Sequence, residues 1–301
     1  MKLALLSLQP GIKTLIGSNS EVNLNALANA LINAEGWSLA IAFFVIWAIA
    51  WLPIAFPLAI RLKWRPSQPL TPGQKLPLVA SLYALAPLIL WGLISIRGES
   101  FRDCGLILQP QFFVSLGVGV GWGILGLAAV FALESRLGWM QWHRENLPRF
   151  GKLLIPILAL ALWIAIVEEA IFRGFLFNVL ARGGGLWAGV VFSSLIFALS
   201  HLLWETKDTL PQLPGLGLMG GVLLLARWVD DGSLGLAWGL HAGWIWGLTA
   251  LDSAALMSYA PDAPHWFIGL RQKPLAGLAG IACLLLTGLG LLSLKQFIYG
   301  G

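Results

Sequence analysis

Charge is what this sequence has little of. Only 11% of its 301 residues are Asp, Glu, Lys or Arg, against 58% hydrophobic, whereas a soluble domain carries roughly 25% charged residues. That balance argues against a water-soluble fold. Cysteine is scarce too: Cys104 and Cys283 are the only two, too few for a disulfide framework and without a CxxC pair, so both read as small apolar fillers. No HExxH is present, which removes the usual helical zinc signature. No inverted repeat is evident, and only one tandem acid lies within an apolar run, both of which weigh against a proton-coupled transporter. The excess of 19 basic over 14 acidic residues is what cytoplasmic loops of a membrane chain normally carry, and no nucleic-acid partner is expected from it.

What the chain has instead is apolar blocks of 18 residues or more, long enough to cross a bilayer of about 30 Å. The expected fold class is all-α, a polytopic transmembrane bundle of about eight spans near residues 38–60, 76–96, 112–133, 153–173, 186–204, 213–229, 233–250 and 275–297. The apolar run from Leu3 to Leu8, between Lys2 and Pro10, is short for a signal peptide, and no cleavage is expected. Residues 21–34 suit a short interfacial helix. Four parts follow: an N-terminal segment over 1–37, N-terminal spans and basic loops over 38–150, a core over 151–250, and a loop with the last span over 251–301. Between residues 61 and 75 lie four basic residues and no acid, so this loop is expected in the cytoplasm and both termini outside it. The many tryptophans near span ends fit an aromatic belt.

GWGILG at 121–126 has the form GxGxxG, yet no strand precedes it and it lies within an apolar block. Gly119 and Gly123 are better read as small residues that let two membrane helices approach closely. Arg227, Asp230 and Asp231 beside Gly232 read as a solvated loop, Glu134 as the start of a charged loop, and His143 and His265 as surface residues.

An ionisable side chain inside a span costs about 2.5–3.5 kcal/mol on insertion scales, which makes it a functional candidate. Three segments qualify. IAIVEEAIFRGF carries Glu168, Glu169 and Arg173 at the end of an apolar run. Glu169 and Arg173 stand four apart in the favourable order for an intrahelical pair, while Glu168, about 100° round the helix, is free to face a cavity. FSSLIFALSH ends in His201 with Phe197 one turn earlier. LAWGLHAGWIWG is centred on His241. A carboxylate and an imidazole together can orient and deprotonate a water, and a second imidazole can hydrogen-bond the oxyanion formed at an amide carbonyl. The same Glu168, His201 and His241 are also the set a divalent ion would use. On ligand type alone both forms of hydrolysis stay open.

These segments resemble the CPBP intramembrane proteases, which include the type II CAAX prenyl endopeptidases and the bacteriocin-processing or abortive-infection proteins. The first motif, EExxxR, is Glu168-Glu169-Ala-Ile-Phe-Arg173; the second, FxxxH, is Phe197-Ala-Leu-Ser-His201; the third, HxxxN, is present in part as His241-Ala-Gly-Trp-Ile245. The resemblance implies Glu168 as general base acting with His201, His241 at the oxyanion, Glu169 and Arg173 shaping the site, no catalytic metal or other cofactor, and a membrane protein or lipidated peptide as substrate. It implies a multi-pass protein of a cell inner membrane or an organelle membrane. Ile245 departs from the motif, since isoleucine has no donor and loss of one oxyanion donor costs about 10²- to 10³-fold in rate. The indole of Trp244 or Trp246 is a candidate replacement. A non-catalytic scaffold derived from such a protease is the alternative.

Overall fold

In a computed structural model, residues 18–65, 70–203 and 206–299 are described. The N-terminal run up to Pro10 lies outside them. Ten α-helices of eight residues or more carry the described fold: α1 (Ser18–Asn33), α2 (Gly36–Arg61), α3 (Pro72–Ile96), α4 (Pro110–Arg136), α5 (Leu147–Glu168), α6 (Phe177–Gly184), α7 (Leu186–Ser200), α8 (Leu213–Val229), α9 (Gly235–Ala254) and α10 (Leu278–Tyr299). Between α5 and α6 the chain does not break but widens into a π-helical segment, Glu169–Leu176. The protein is thus an all-α polytopic bundle.

Local chemistry explains the ends. At the start of α3, Pro72 occupies the first turn, where its missing N–H costs nothing, and Gln74 Oε1 accepts the Thr71 backbone N–H at 3.1 Å. The last turn of α1 leaves free carbonyls. Arg97 donates to two of them, those of Leu31 and Ile32, and to the Ala34 carbonyl just past the helix, at 2.8–2.9 Å. Gly185, with φ +84°, provides the left-handed turn that folds α7 back on α6.

Among the described residues seven helical stretches are long and apolar enough to cross a membrane, one fewer than expected. The difference is α9. Its glycines, tryptophans and His241 make it too polar by composition, and it is buried along the face that carries Leu236, Leu240 and His241. It packs chiefly on α4 and α5. Contact with α4 is through glycine: a Cβ built on Gly119 would stand 2.9 Å from the Gly239 Cα, and one on Gly123 would stand 2.9 Å from the Leu240 carbonyl. The close approach expected of Gly119 and Gly123 is therefore made with α9.

One expectation of loop needs correction here. Glu134 is not in a charged loop; it lies inside α4 with 1% of its surface exposed, and accepts a hydrogen bond from Tyr259 Oη at 3.2 Å. Tyr259 comes from a small antiparallel ribbon, Met140–Trp142 with Met257–Tyr259, and burial followed by the Glu134 charge pushes its phenol well above the usual range. Cys104 is buried and free, its thiol pushed up to about 11 by burial, as befits an inert filler. His143 is half-buried and bonds Ser258 Oγ at 2.8 Å, whereas His265 is exposed.

Candidate active site

The site forms where α5 changes into the π segment. All eight residues from Glu169 to Leu176 are buried, and Glu168 just before them is 5% exposed. Single π turns recur at functional sites because they re-aim side chains and free backbone groups. One such group, the Arg173 carbonyl, accepts a hydrogen bond from Arg227. Arg227 was expected in solvent and is instead 9% exposed, bonded also to the Gly232 carbonyl and to Asn178 Oδ1, each at 3.0 Å. The physical reason is that one carbonyl of the π segment, with the Gly232 carbonyl and the Asn178 amide oxygen, takes the place of water around the guanidinium. Asp230 is half-buried and accepts from Ser115 Oγ at 2.6 Å; Asp231 is exposed and pairs with Lys295 at 2.6 Å.

Three helices converge on this segment. Glu169 Oε1 accepts from Arg173 at 3.1 Å and lies 2.7 Å from His241 Nδ1, so the pair expected from the spacing is made and shared with α9. Because a carboxylate only accepts, His241 presents N–H at Nδ1. Its Nε2 then faces Glu168 Oε2 at 3.5 Å. On α7, the Phe197 ring lies beneath the Arg173 guanidinium, 3.9 Å from ring centroid to Cζ, and meets the His201 and His241 rings edge-on at 4.8 and 5.9 Å. The motif phenylalanine is thus the apolar hub that spaces the two imidazoles and receives the cation on its π face. His201 Nδ1 is 2.8 Å from the Phe197 carbonyl. A carbonyl accepts, so this nitrogen donates and a neutral His201 keeps its Nε2 lone pair for another partner.

Glu168 and His201 line two chambers. One, of about 630 Å³, is bounded by Phe44, Trp47, Trp51, Tyr83 and Phe172. The other, of about 270 Å³, contains His241, Trp244 and Ile245. The structure therefore brings Glu168, His201 and His241 to one place, with Ile245 beside them. Trp246 is turned away, donating its indole N–H to the Leu154 carbonyl at 2.8 Å, and of the two tryptophans only Trp244 faces the chamber. Glu168 Oε2 is buried without a hydrogen-bond partner among the described residues, a costly state for a carboxylate oxygen unless something enters to meet it.

Sequence reasoning missed Tyr83, which donates its phenol O–H to Glu168 Oε1. It sits within an apolar helix and belongs to no motif, and only its being one of three tyrosines in the chain marked it. Among the described residues no group of three His, Cys, Asp or Glu side chains is placed to hold a metal ion.

A polytopic bundle of long apolar helices in which a buried carboxylate and a buried imidazole, with the half-buried His201, line shared chambers defines an integral membrane protein with hydrolase-type side chains among its helices. Residues 150–247, about a third of the chain, match the family model described as Type II CAAX prenyl endopeptidase Rce1-like, and the resemblance read from the three motifs stands. The matched model describes type II CAAX prenyl endopeptidases, and the similarity covers that third of the chain. No curated protein and no solved structure matches the chain significantly.

Proposed function

We propose that the protein is an intramembrane endopeptidase that cuts a peptide bond of a lipidated or membrane-associated substrate by activating water on Glu168. The observation that carries this reading is the unpartnered, buried Oε2 of Glu168 at the junction of two chambers, 3.5 Å from His241 Nε2. A water there gives its proton to Oε2 and its remaining hydrogen bond to the Nε2 lone pair of His201. The hydroxide attacks the carbonyl carbon, the C=O electron pair moves to oxygen, and on collapse the leaving amine takes the proton back from Glu168. For His241 to donate to the oxyanion from Nε2, its ring must carry a proton on each nitrogen. The Glu169 carboxylate, 2.7 Å from Nδ1, is the counter-charge for that form.

The test is cleavage in liposomes by the full chain. Glu168→Ala and His201→Ala abolish it, a loss of roughly 10²- to 10⁴-fold for a general base; full activity in either variant overturns the mechanism. Membrane proteomics with and without the protein, alongside the Glu168→Ala form, identifies the substrate. A second reading, a non-catalytic scaffold of protease ancestry, is favoured by Ile245, which lines the chamber beside His241 with no donor. Ile245→Asn distinguishes the two: activity that arises only in this variant supports the scaffold.

A further inference from the structure

Three consecutive residues in the middle of α3 face neighbouring helices through hydrogen bonds. Ser81 Oγ accepts the Trp51 indole N–H at 3.0 Å, the Leu82 carbonyl accepts that of Trp47 at 3.1 Å, and Tyr83 Oη reaches Glu168 Oε1. Two indole bonds therefore lock α3 to α2 at the position from which the phenol extends, and α3 is packed against α5. Pro77 and Pro87 bracket this stretch within the helix, each removing one backbone hydrogen bond. The side chain is half-buried, in the wall of the larger chamber.

The consequence concerns the two oxygens of Glu168, which are chemically equivalent in a free carboxylate. Here they are not. Oε1 is occupied by the phenol from the α3 side, and Oε2 has no hydrogen-bond partner and looks toward His241. Tyr83 lines the first chamber only, His241 and Ile245 the second only, and Glu168 and His201 both. We propose that Tyr83 is a positioning residue for the base: by holding Oε1 it fixes the rotation of the carboxylate and selects Oε2 as the oxygen that accepts the proton from water. This rests on the reading of Glu168 as general base. Without the phenol the carboxylate rotates freely about its last bond, and the productive orientation becomes one of several. A tether that merely held α3 in the bundle would fix no oxygen.

Tyr83→Phe removes the hydroxyl and keeps the ring, so the α3 packing survives. In reconstituted full-length protein, the infrared carboxyl band of Glu168, identified by its loss in Glu168→Gln, shifts in Tyr83→Phe. In the same variant kcat falls by about 10- to 100-fold while KM stays at its wild-type value and the unfolding temperature drops by no more than the loss of one buried hydrogen bond accounts for. Trp47→Phe is the control that loosens α3 from α2 without touching Glu168 directly; its effect on kcat is smaller than that of Tyr83→Phe. An unmoved band with a fully active Tyr83→Phe overturns the proposal, as does a fall in kcat matched by an equal rise in KM and an equal loss of stability. If the wild type cleaves nothing yet the band moves, the protease reading fails and the Tyr83–Glu168 contact stands.

Discussion

Two buried arginines serve the two ends of the π segment, and they are held in opposite ways. Arg173, inside it, pairs with the Glu169 carboxylate at 3.1 Å and stacks on Phe197 at 3.9 Å. Arg227, reaching in from α8, has no carboxylate within ion-pair distance among the described residues; it binds the carbonyls of Arg173 and Gly232 and Asn178 Oδ1, with the Phe177 ring 5.3 Å away. One cation is neutralised by charge, the other solvated by oxygen dipoles. The first arrangement leaves a carboxylate to share with His241, and so belongs to the chemistry. The second replaces water for a guanidinium and, in return, satisfies a carbonyl that the wide helix leaves open.

The largest stability effect comes from breaking the charged end. Glu169→Ala leaves Arg173 buried without its counter-ion and His241 Nδ1 without its acceptor, and costs about 3–5 kcal/mol, read by thermal or denaturant unfolding in detergent. Glu169→Leu combined with Arg173→Met is less destabilising than either single change, because an apolar pair replaces an ion pair without orphaning a charge. A double variant as unstable as the sum of its singles would mean that the two side chains do not act as a pair. At the dipolar end, Arg227→Met costs about 1–3 kcal/mol, the penalty for a buried acceptor left unmade. It also lowers cleavage, because the Arg173 carbonyl and the turn that carries Glu168 lose their anchor. Arg227→Lys restores little, since an ammonium cannot span three separate oxygens as the planar fork does.

The contrast also explains what was legible beforehand. Glu169 and Arg173 were readable because a charge pair has a spacing, and His201 and His241 because an imidazole is conspicuous in an apolar span. Gly119 and Gly123 were readable as a contact, although their partner, Gly239 on α9, was not. Arg227 was misread because its partners are backbone oxygens and an amide, and a sequence does not display carbonyls. The same holds for the π segment: EAIFRGFL has ordinary helical composition, and nothing local in it marks the widening or the close approach of Gly174 to the Cys104 backbone. Tyr83 was invisible for the opposite reason, since its partner lies 85 residues away and no local pattern links them. Glu134 was placed in a loop by counting charges, but the helix continues past it and the ribbon covers it. The helices themselves were legible throughout, because length and apolarity are local properties; the polar composition of α9 reveals only that something shields it.

Lys295, near the end of α10, supplies the smallest effect and calibrates the other two. It donates to Asp231 at 2.6 Å and to the Val229 carbonyl at 3.4 Å, and lies 5.1 Å from the Trp228 ring centroid. It thus combines the carboxylate of Arg173 with the carbonyl of Arg227, but its Asp231 partner is 65% exposed. Water screens the pair, and the coupling in a double-mutant cycle of Asp231→Ala with Lys295→Met is about 0–1 kcal/mol and falls as salt is added. Lys295→Met alone costs more than Asp231→Ala alone, because it also removes the carbonyl contact and the ring contact. If the pair instead couples as strongly as Glu169 with Arg173, and resists salt, then burial is not what separates the charged end of the π segment from the rim, and the low-dielectric account of Arg173 has to be abandoned.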